Sequence, residues 1–427
     1  MRTPRPLALE ATIGSLAPGG DGVAHADVHG ERRAIFVART APGDRARLEA
    51  DLSTRPARGR LLQLLASGND RVAPACAWAD RCGGCDWMQL SLTAQARIHA
   101  EHVRAALPLE FRDIPIAWTP AVQGLRYRSR ARIHVRCPRG GRVIVGIHEA
   151  GTRDPVEVED CAILEPVLEL TRRSLCGLFE GSVGQGAVQL ARGDNGRPVL
   201  HIRWTGELAA NVFGRLERDV AAGRLAGALI AIDGATRPAR IGDPTPWTTA
   251  ADGLPLRLAP GGFAQAHAMA NAALVRHIAD HVAACRVDRA VELYAGSGNL
   301  SVLLADQVGI LECVEANGAA CQASRANLAA RGLRASVIEA DAAHHTWNSA
   351  TKFVVLDPPR TGAHDVARRL LTSRVKHVVY VSCDAPTLGR DLAVLESAYA
   401  VRSATTFEMF PQTSHVEAVV ALDRRKP

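Results

Sequence analysis

The last third of the chain alternates short, mostly apolar runs with segments in which apolar residues recur at helical spacing. An apolar run of about four to eight residues between two helices is typical of a strand that is covered on both faces. The alternation predicts a mainly parallel sheet, covered by helices, whose ligands bind at the carboxyl ends of its strands. The last two strands are predicted to form an antiparallel pair. The predicted strands are residues 290–294, 310–315, 335–339, 353–356, 377–382, 401–407 and 416–422.

The first of these strands runs into the small-residue turn Ala295-Gly-Ser-Gly-Asn299. Its two glycines allow unusual backbone dihedrals and let a ligand come close to the backbone. The next strand ends on Glu315, where an acid can hydrogen-bond a ribose. Ser301 replaces the third glycine of the dinucleotide fingerprint, and S-adenosylmethionine has no pyrophosphate to hold. The turn therefore favours S-adenosylmethionine over NAD, although a tight connection without a ligand can have the same glycine spacing.

Residues 8 to about 60 consist of short β-type segments separated by strong turn signals at 19–22 and 42–44. Several short strands of this kind predict a small barrel of the OB type, a fold that often binds RNA. A purely structural β-domain fits the same pattern. The predicted strands are 11–13, 22–24, 34–37 and 46–48.

Three cysteines, Cys76, Cys82 and Cys85, lie within ten residues of one another. A fourth thiol is needed to complete a four-ligand site, and Cys161 is the best candidate. Four thiolates suit either zinc or an iron–sulfur cluster, and zinc sites usually come as two close cysteine pairs. The three-plus-one arrangement therefore favours a 4Fe-4S cluster, with unpaired structural cysteines as the alternative.

Residues 89–107 predict an amphipathic helix, and the stretch 125–136 that follows has a basic residue at every even position. Side chains of a strand alternate between faces, so a strand here would have one entirely basic face. No acidic residue occurs between 121 and 142. A face without balancing acids favours RNA phosphates over solvent as its partner. The basic residues are Arg126, Arg128, Arg130, Arg132, His134 and Arg136.

Residues 143–260 predict mixed β-structure and turns. Strands at 143–147 and 199–203 flank the stretch 181–196, which is rich in turn-forming residues. The segment 253–262 contains two prolines and several glycines and is the predicted boundary before the catalytic domain. The predicted domains are residues 1–62, 63–258 and 259–427.

Composition sets broad limits. The chain has 427 residues, 47% of them hydrophobic and 22% charged, which is ordinary for two or three folded domains. No run of 18 apolar residues occurs, so no membrane span is predicted. The start, Met1-Arg-Thr-Pro-Arg-Pro, is not followed by an apolar signal core, so we expect a cytoplasmic protein. A net charge of +7 permits a nucleic-acid partner.

Two strand ends carry residues that can act on a nucleobase. Asp357-Pro-Pro-Arg360 is similar to the Asn/Asp-Pro-Pro-aromatic signature of amino-group methyltransferases, but an arginine replaces the aromatic residue. Cys383, at the next strand end, suits methylation of carbon 5 of uracil, which becomes nucleophilic only after a thiolate adds to carbon 6. The helix predicted to begin just after Cys383 is expected to lower the pKa of this thiol. Glu417 is the candidate base for the carbon-5 proton, with His415 as the alternative.

These segments together resemble the RNA uracil-5-methyltransferase family, in its iron–sulfur-containing branch with an N-terminal TRAM domain. The matching segments are the TRAM-like start, the four cysteines, and residues 127–130, 262–265, 293–299, 357–360, 380–383 and 410–417. The resemblance implies Cys383 as the nucleophile and Glu417 as the base. It also implies a set of residues around the cofactor and the active centre, namely Gln265, Tyr294, Asn299, Glu315, Asp341 and Asp357.

The implied fold class is α/β. A Rossmann-like class I methyltransferase domain (259–427) follows a TRAM-like OB β-barrel (1–62) and a central mixed α+β iron–sulfur and RNA-binding domain (63–258). The helix at 89–107 is expected to pack on the catalytic domain. His267 and Asp384 depart from the family pattern, because the family usually has asparagine at each of these positions. The carboxylate of Asp384 is expected to disfavour a thiolate at Cys383, the preceding residue.

The resemblance implies an enzyme that makes 5-methyluridine in RNA, with S-adenosylmethionine and a 4Fe-4S cluster as cofactors. Members with the cluster mostly act on the large ribosomal RNA, which favours 23S rRNA over transfer RNA. We expect a monomer. A catalytically silent RNA-binding or folding factor is the non-enzymatic alternative, which the intact Cys383 and Glu417 disfavour. A radical enzyme is disfavoured by the cysteine spacing and by the separate cofactor site.

Overall fold

The computed structural model describes residues 7–28 and 31–426, so the chain start used above to predict location lies outside the described residues. Within them the strands form a closed barrel, a seven-stranded sheet, a two-stranded ribbon and an eight-stranded sheet. No helix in these two ranges is long and apolar enough to cross a membrane.

The N-terminal barrel has the strand order β1-β2-β3-β5-β4 and closes between β1 and β4; its strands are β1 (Leu7–Leu16), β2 (Gly22–Val28), β3 (Glu31–Val37), β4 (Arg45–Asp51) and β5 (Ala57–Ala66). Fully buried side chains, among them Ile13, Ile35 and Leu48, fill its interior. This is the predicted OB-type barrel, and the four predicted strands are confirmed. The fifth strand was not predicted, and it carries the barrel to Ala66, beyond the expected boundary at 62.

Two elements after the barrel pack on the catalytic part of the molecule: α1 (Leu92–Ala106) and β6 (Ile116–Ala117). The Ser91 hydroxyl caps α1 by accepting a hydrogen bond from the Ala94 amide. Buried α1 residues such as Val103 share one apolar cluster with the C-terminal sheet, and β6 is the outermost strand of that sheet. The helix predicted for 89–107 is therefore confirmed, together with its packing partner.

The central sheet has the order β13-β12-β11-β10-β7-β8-β9, and two helices cover one of its faces. Its elements are β7 (Arg130–Cys137), β8 (Ile144–His148), β9 (Pro155–Val156), α2 (Pro166–Leu178), β10 (Val183–Arg192), β11 (Pro198–Glu207), α3 (Ala210–Ala221), β12 (Gly227–Ile232) and β13 (Ala239–Gly242). The prediction of turns over 181–196 was wrong, since β10 lies at the centre of this sheet. A Cβ on Gly184 would lie 2.2 Å from the Thr205 oxygen, so close strand packing, and not only a turn, requires glycine here.

The predicted basic strand is only partly confirmed. Regular pairing begins at Arg130, and Arg126 has a left-handed φ of 53°. The expected lack of balancing acids was also wrong, because Asp160 pairs with Arg126 and Asp154 pairs with Arg136. Asp160 lies 34 residues from Arg126 and Asp154 lies 18 residues from Arg136 in sequence, so counting the charges near the strand does not find them.

The catalytic sheet has the order β18-β17-β16-β19-β20-β22-β21-β6, with its first five strands parallel and β22 antiparallel. The chain reaches it through the ribbon β14 (Trp247–Thr249) and β15 (Pro255–Arg257). Its own elements are α4 (Ala268–Cys285), β16 (Arg289–Leu293), α5 (Ser301–Leu304), β17 (Ile310–Glu315), α6 (Gly318–Ala329), β18 (Ser336–Glu339), β19 (Phe353–Leu356), α7 (His364–Thr372), β20 (His377–Ser382), α8 (Ala385–Leu395), β21 (Tyr399–Phe407) and β22 (Glu417–Arg424). Every strand predicted here is confirmed. The strand order reverses between β16 and β19, where a sheet of this type opens a crevice for ligands.

Candidate active site

A cavity of about 270 Å³ lies at the carboxyl ends of β16, β17 and β19, beside the point of strand reversal. It contains five of the six residues implied for the cofactor and active centre: Gln265, Tyr294, Asn299, Glu315 and Asp357. The sixth, Asp341, does not line this cavity. Its largely exposed carboxylate accepts a hydrogen bond from the Ala343 amide in its own turn.

The glycine turn after β16 shapes the floor of the cavity. Gly296 and Gly298 have φ values of 54° and 89°, in the region that favours glycine. The Gly296 amide donates to Oε2 of Glu315 over 2.9 Å, and the Asn317 amide donates to Oε1 over 2.8 Å. The backbone therefore fixes the orientation of the Glu315 carboxylate at the edge of the cavity. Each of its oxygens can still accept a second hydrogen bond, for example from a ribose hydroxyl.

Amide side chains supply further polar groups. The Oε1 atom of Gln265 is buried without a protein partner, although burial of an unpaired carbonyl oxygen is costly. A bound ligand with a donor group would relieve this cost. Asn299 and Asn271 exchange two hydrogen bonds of 2.8 and 2.9 Å, which fixes both amides at the cavity wall. Sequence reasoning missed Asn271, and the available signal was an amide at helical spacing from Leu274, Val275 and Ile278 on the apolar face of α4.

A second group of residues stands at the adjoining strand ends. Ser382 of β20 pairs with Ala418 of β22, so the same register places Cys383 opposite Glu417. Asp357 follows β19, the parallel neighbour of β20. Glu417 is 2% exposed and Cys383 is half-buried. The sheet thus brings together three residues that are 26 to 60 positions apart in sequence, and Asp357 also lines the cavity.

The electrostatics of Cys383 differ from the expectation. Burial raises the pKa of its thiol to about 11, with further increases from Glu417 and Asp357, while Arg360 lowers it. The helix N-terminus was expected to lower this pKa, but the net shift is upward, because burial and two carboxyl groups raise it. Asp384 instead caps α8, its Oδ1 accepting from the Thr387 amide over 2.9 Å, a role that asparagine also fills.

Burial also raises the pKa values of the two neighbouring carboxyl groups. The pKa of Asp357 rises to about 7 and that of Glu417 rises well above its ordinary value, and Asp357 contributes to the rise at Glu417. The His415 ring lies close by, and its Nε2 accepts a hydrogen bond from the Arg360 guanidinium over 3.2 Å. Burial and Arg360 lower the pKa of His415, so its imidazole is neutral at pH 7.

The four cysteines named above lie in one small cluster with Met88, Tyr127 and neighbouring apolar residues. Burial raises the pKa of the Cys85 thiol, and the neighbouring Cys161 and Cys82 raise it further. Among the residues that the structure describes, no three His, Cys, Asp or Glu side chains converge closely enough for a single metal ion. The ligands of a four-iron cluster bind four separate irons and therefore stand farther apart than the ligands of one ion.

The sequence and structure are similar to those of known RNA methyltransferases. The family model described as tRNA (Uracil-5-)-methyltransferase matches residues 329–425. The 23S rRNA (uracil(1939)-C(5))-methyltransferase RlmD of Chromohalobacter salexigens is 32% identical over 97% of this chain and 89% of its own length. The enzyme of the same name from Enterobacter sp. (strain 638) is 29% identical over 97% of this chain and 95% of its own.

Among solved structures, the tRNA (uracil-54, C5)-methyltransferase of Pyrococcus abyssi in complex with S-adenosyl-L-homocysteine covers 97% of this chain and 100% of its own, with a TM-score of 0.75. At 20% identity this likeness concerns the fold. The relatives match nearly the whole chain, from the barrel to the last strand of the catalytic sheet. The chain therefore belongs to the RNA (uracil-5-)-methyltransferase family and is an S-adenosylmethionine-dependent RNA methyltransferase.

Proposed function

We propose that this protein methylates carbon 5 of one uridine in 23S rRNA through a covalent bond between Cys383 and carbon 6 of the base. The observation that carries the proposal is that Cys383, at the end of β20, lies opposite Glu417, at the start of β22. Both are beside the ligand cavity that Asp357 lines. The substrate follows from the relatives, which are named for 23S rRNA and match this chain at nearly full length. A ribosomal substrate implies a cytoplasmic protein. We propose that the protein acts as a monomer, since one chain supplies Cys383, Glu417 and the cavity beside them.

The chemistry needs a nucleophile because carbon 5 of uracil does not attack an electrophile unaided. Cys383 Sγ forms a bond to carbon 6, and the electron pair of the 5,6 double bond becomes an enolate. Bound S-adenosylmethionine supplies the electrophilic methyl group that carbon 5 takes up. Glu417 then removes the carbon-5 proton, which restores the double bond and expels the thiolate. Gln265, Asn299 and Glu315 are proposed to hold the methyl donor.

The raised pKa of Glu417 suits its role as the base. A buried Glu417 with a raised pKa is, once ionised, a stronger base than a surface glutamate. His415 is a poorer candidate, because its Nε2 already accepts a hydrogen bond from Arg360. The Arg360 guanidinium lowers the pKa of both Cys383 and Glu417 and so favours the thiolate.

The rate is expected to rise with pH. Addition needs the Cys383 thiolate, and with a pKa of about 11 the thiolate fraction of the free enzyme grows about tenfold per pH unit below that value. We expect kcat/KM for RNA to increase up to at least pH 9, measured at constant ionic strength. Arg360→Gln should lower it throughout. A plateau below pH 8 in the unmodified enzyme would contradict this, because it would mean that the pKa of the Cys383 thiol lies below the ordinary value of a cysteine.

We further propose that Cys76, Cys82, Cys85 and Cys161 hold a 4Fe-4S cluster. The support is the common apolar cluster in which the four cysteines lie, together with their three-plus-one spacing in the sequence. The Arg39 side chain donates to the carbonyl oxygens of Cys82 and Cys85 and so fixes the backbone between them. Anaerobically purified protein is expected to be brown with about four irons per chain, and Cys161→Ser to lose most of that iron. Stoichiometric zinc without iron would contradict the assignment, and Cys176→Ser, a change at an exposed cysteine, is the matched control.

The open face of the central sheet is the proposed RNA-binding surface. Register places Arg132, His134 and Arg136 of β7 on the same face as Arg203 of β11, opposite the helices. A groove of about 500 Å³ lies along this face, and its lining also includes Arg153. Arg136, Arg153 and Arg203 line the groove, and Arg136 is ion-paired with Asp154. Arg132 and Arg203 are exposed on this face of the sheet, where they can reach phosphates.

Neutralising Arg132 and Arg203 together by glutamine is expected to weaken binding to all RNAs alike. Each phosphate contact contributes about one unit to the salt slope, so the slope of log K against log salt should become shallower by about two units. Filter binding at several salt concentrations measures both effects. Arg224→Gln, beside α3 on the helix-covered side, is the control. An unchanged slope in the double variant would mean that this face is merely solvated.

Methyl transfer in vitro tests the proposed function. Labelled S-adenosylmethionine should transfer its methyl group to unmodified 23S rRNA, and nuclease digestion should yield 5-methyluridine. Transfer to transfer RNA alone would support the second substrate class, which the family description and the solved neighbour name. RNA binding without transfer to either substrate would support a catalytically silent factor.

A further inference from the structure

The segment that joins β21 to Glu417 is held mainly from outside the catalytic sheet. We call residues 408–416 the base loop, because they end at the proposed base. Inside the loop, Thr413 bonds back to the Phe410 carbonyl and to the His415 amide. The amide and carbonyl of Gln412 and the amide of Ser414 bond to α1 and to residues 76–87, which we call the cysteine segment.

The cysteine segment contacts the base loop immediately after Cys85. The Trp87 amide donates to the Gln412 carbonyl over 3.0 Å, and the Ser414 amide donates to Oδ1 of Asp86 over 2.9 Å. The second bond has a carboxylate acceptor and lies three residues before Glu417. A charge-assisted bond of this kind is among the stronger restraints on a loop.

Two further side chains hold the same loop. Gln95 of α1, fully buried, accepts from the Gln412 amide over 2.8 Å and donates to the Gln412 side chain and to the Trp87 carbonyl. The Tyr127 hydroxyl donates to the Pro411 carbonyl over 2.9 Å. These bonds support a left-handed residue, since φ of Gln412 is 73°.

The barrel completes the junction. The Trp87 indole donates to the Gly20 carbonyl, and a Cβ on Gly20 would lie 2.2 Å from Oδ2 of Asp86. The carboxylate of Asp86 therefore lies between a turn of the barrel and the base loop. Arg39, also from the barrel, bonds the carbonyls of Cys82 and Cys85.

We propose that Asp86 is a positioning residue that fixes the base loop, so that the cysteine segment and the barrel together set the place of Glu417. This inference rests on the proposed role of Glu417 as the base. It gives the cysteine site a task in the reaction without electron transfer: an ordered segment 82–87 keeps the base in line with carbon 5. Displacing a catalytic group by about 1 Å can cost a hundredfold in rate.

Asp86→Ala tests the proposal. We expect kcat to fall by about tenfold to a hundredfold, while KM for S-adenosylmethionine stays unchanged and the iron content is retained. Amide exchange in the peptide 408–417 should become faster, and the variant should accumulate part of the covalent RNA adduct, because elimination is the slowed step. Asp86→Asn should restore most of kcat, since its oxygen can still accept from the Ser414 amide. Asp80→Ala, an exposed acid in the same segment, is the matched control and should change neither kcat nor exchange.

Normal kcat in Asp86→Ala, or a loss of kcat with unchanged exchange in the base loop, would overturn the proposal. If the alanine variant does not fold, Tyr127→Phe removes one hydroxyl bond to the loop and should lower kcat and speed exchange in the same peptide; no change in either would overturn it equally. Failure of the base assignment is seen separately. In that case Glu417→Gln turns over normally, whatever the exchange data show for Asp86→Ala.

Discussion

Glu417→Gln is expected to methylate its target uridine once and then remain covalently attached to it. The amide still leaves room for Cys383 to add to carbon 6 and for carbon 5 to take up the methyl group. Glutamine cannot remove the carbon-5 proton, however, so the thiolate is not expelled. Loss of a general base costs about a hundredfold to ten-thousandfold in rate, enough for the adduct to survive denaturing electrophoresis. Mass spectrometry of the digested adduct should find the added methyl group on the bound uracil.

His415→Asn is the informative comparison for that experiment. It removes the alternative base but leaves the carboxyl group of Glu417, so it should form no persistent adduct. An adduct in His415→Asn, together with normal turnover by Glu417→Gln, would transfer the base role to the imidazole.

Cys383→Ala is expected to lose turnover and adduct formation together. Without the thiolate, carbon 5 remains unreactive toward the methyl donor, and removal of a nucleophile has cost on the order of 10⁶ in kcat in other covalent enzymes. The target base must leave its stack to reach Cys383, but binding of RNA and of S-adenosylmethionine does not need the thiol. The variant should therefore still bind both. Gel electrophoresis with labelled RNA measures the adduct, and equilibrium binding shows that the protein is folded.

The control for this variant is Cys176→Ala, since Cys176 is exposed and could trap RNA by a side reaction. It should turn over like the unmodified protein. An adduct that persists in Cys383→Ala but disappears in Cys176→Ala would relocate the nucleophile.

Residue patterns predict those parts of the molecule that depend on burial within one segment. The strands 353–356 and 377–382 are observed at the predicted residues. A strand of a parallel sheet is buried on both faces, so it appears in the sequence as a continuous apolar run between helices. Patterns fail where distant segments decide the outcome. The glycines of β10 are predicted as turn residues, because the sequence does not show that their backbone packs closely against the backbone of β11.

The chemistry of the site shows the same division. The position of Cys383 at a strand end before α8 could be predicted, but its pKa could not, because Glu417 and Asp357 reach it from other strands. Asn271 was missed because nothing near it in sequence points to Asn299, its hydrogen-bond partner at the cavity wall. Tertiary hydrogen bonds and burial supply this information, and local patterns do not contain it.

The central claim, methylation of one uridine in 23S rRNA by Cys383, is tested most directly by mapping 5-methyluridine in cells. Ribosomal and transfer RNA from cells with and without the gene, and from cells carrying only Cys383→Ala, should be digested and analysed by mass spectrometry. We predict that a single 5-methyluridine in 23S rRNA is absent without the gene, stays absent with Cys383→Ala and returns with the unmodified protein. A 23S rRNA methylation pattern that is identical in all these cells would contradict the account.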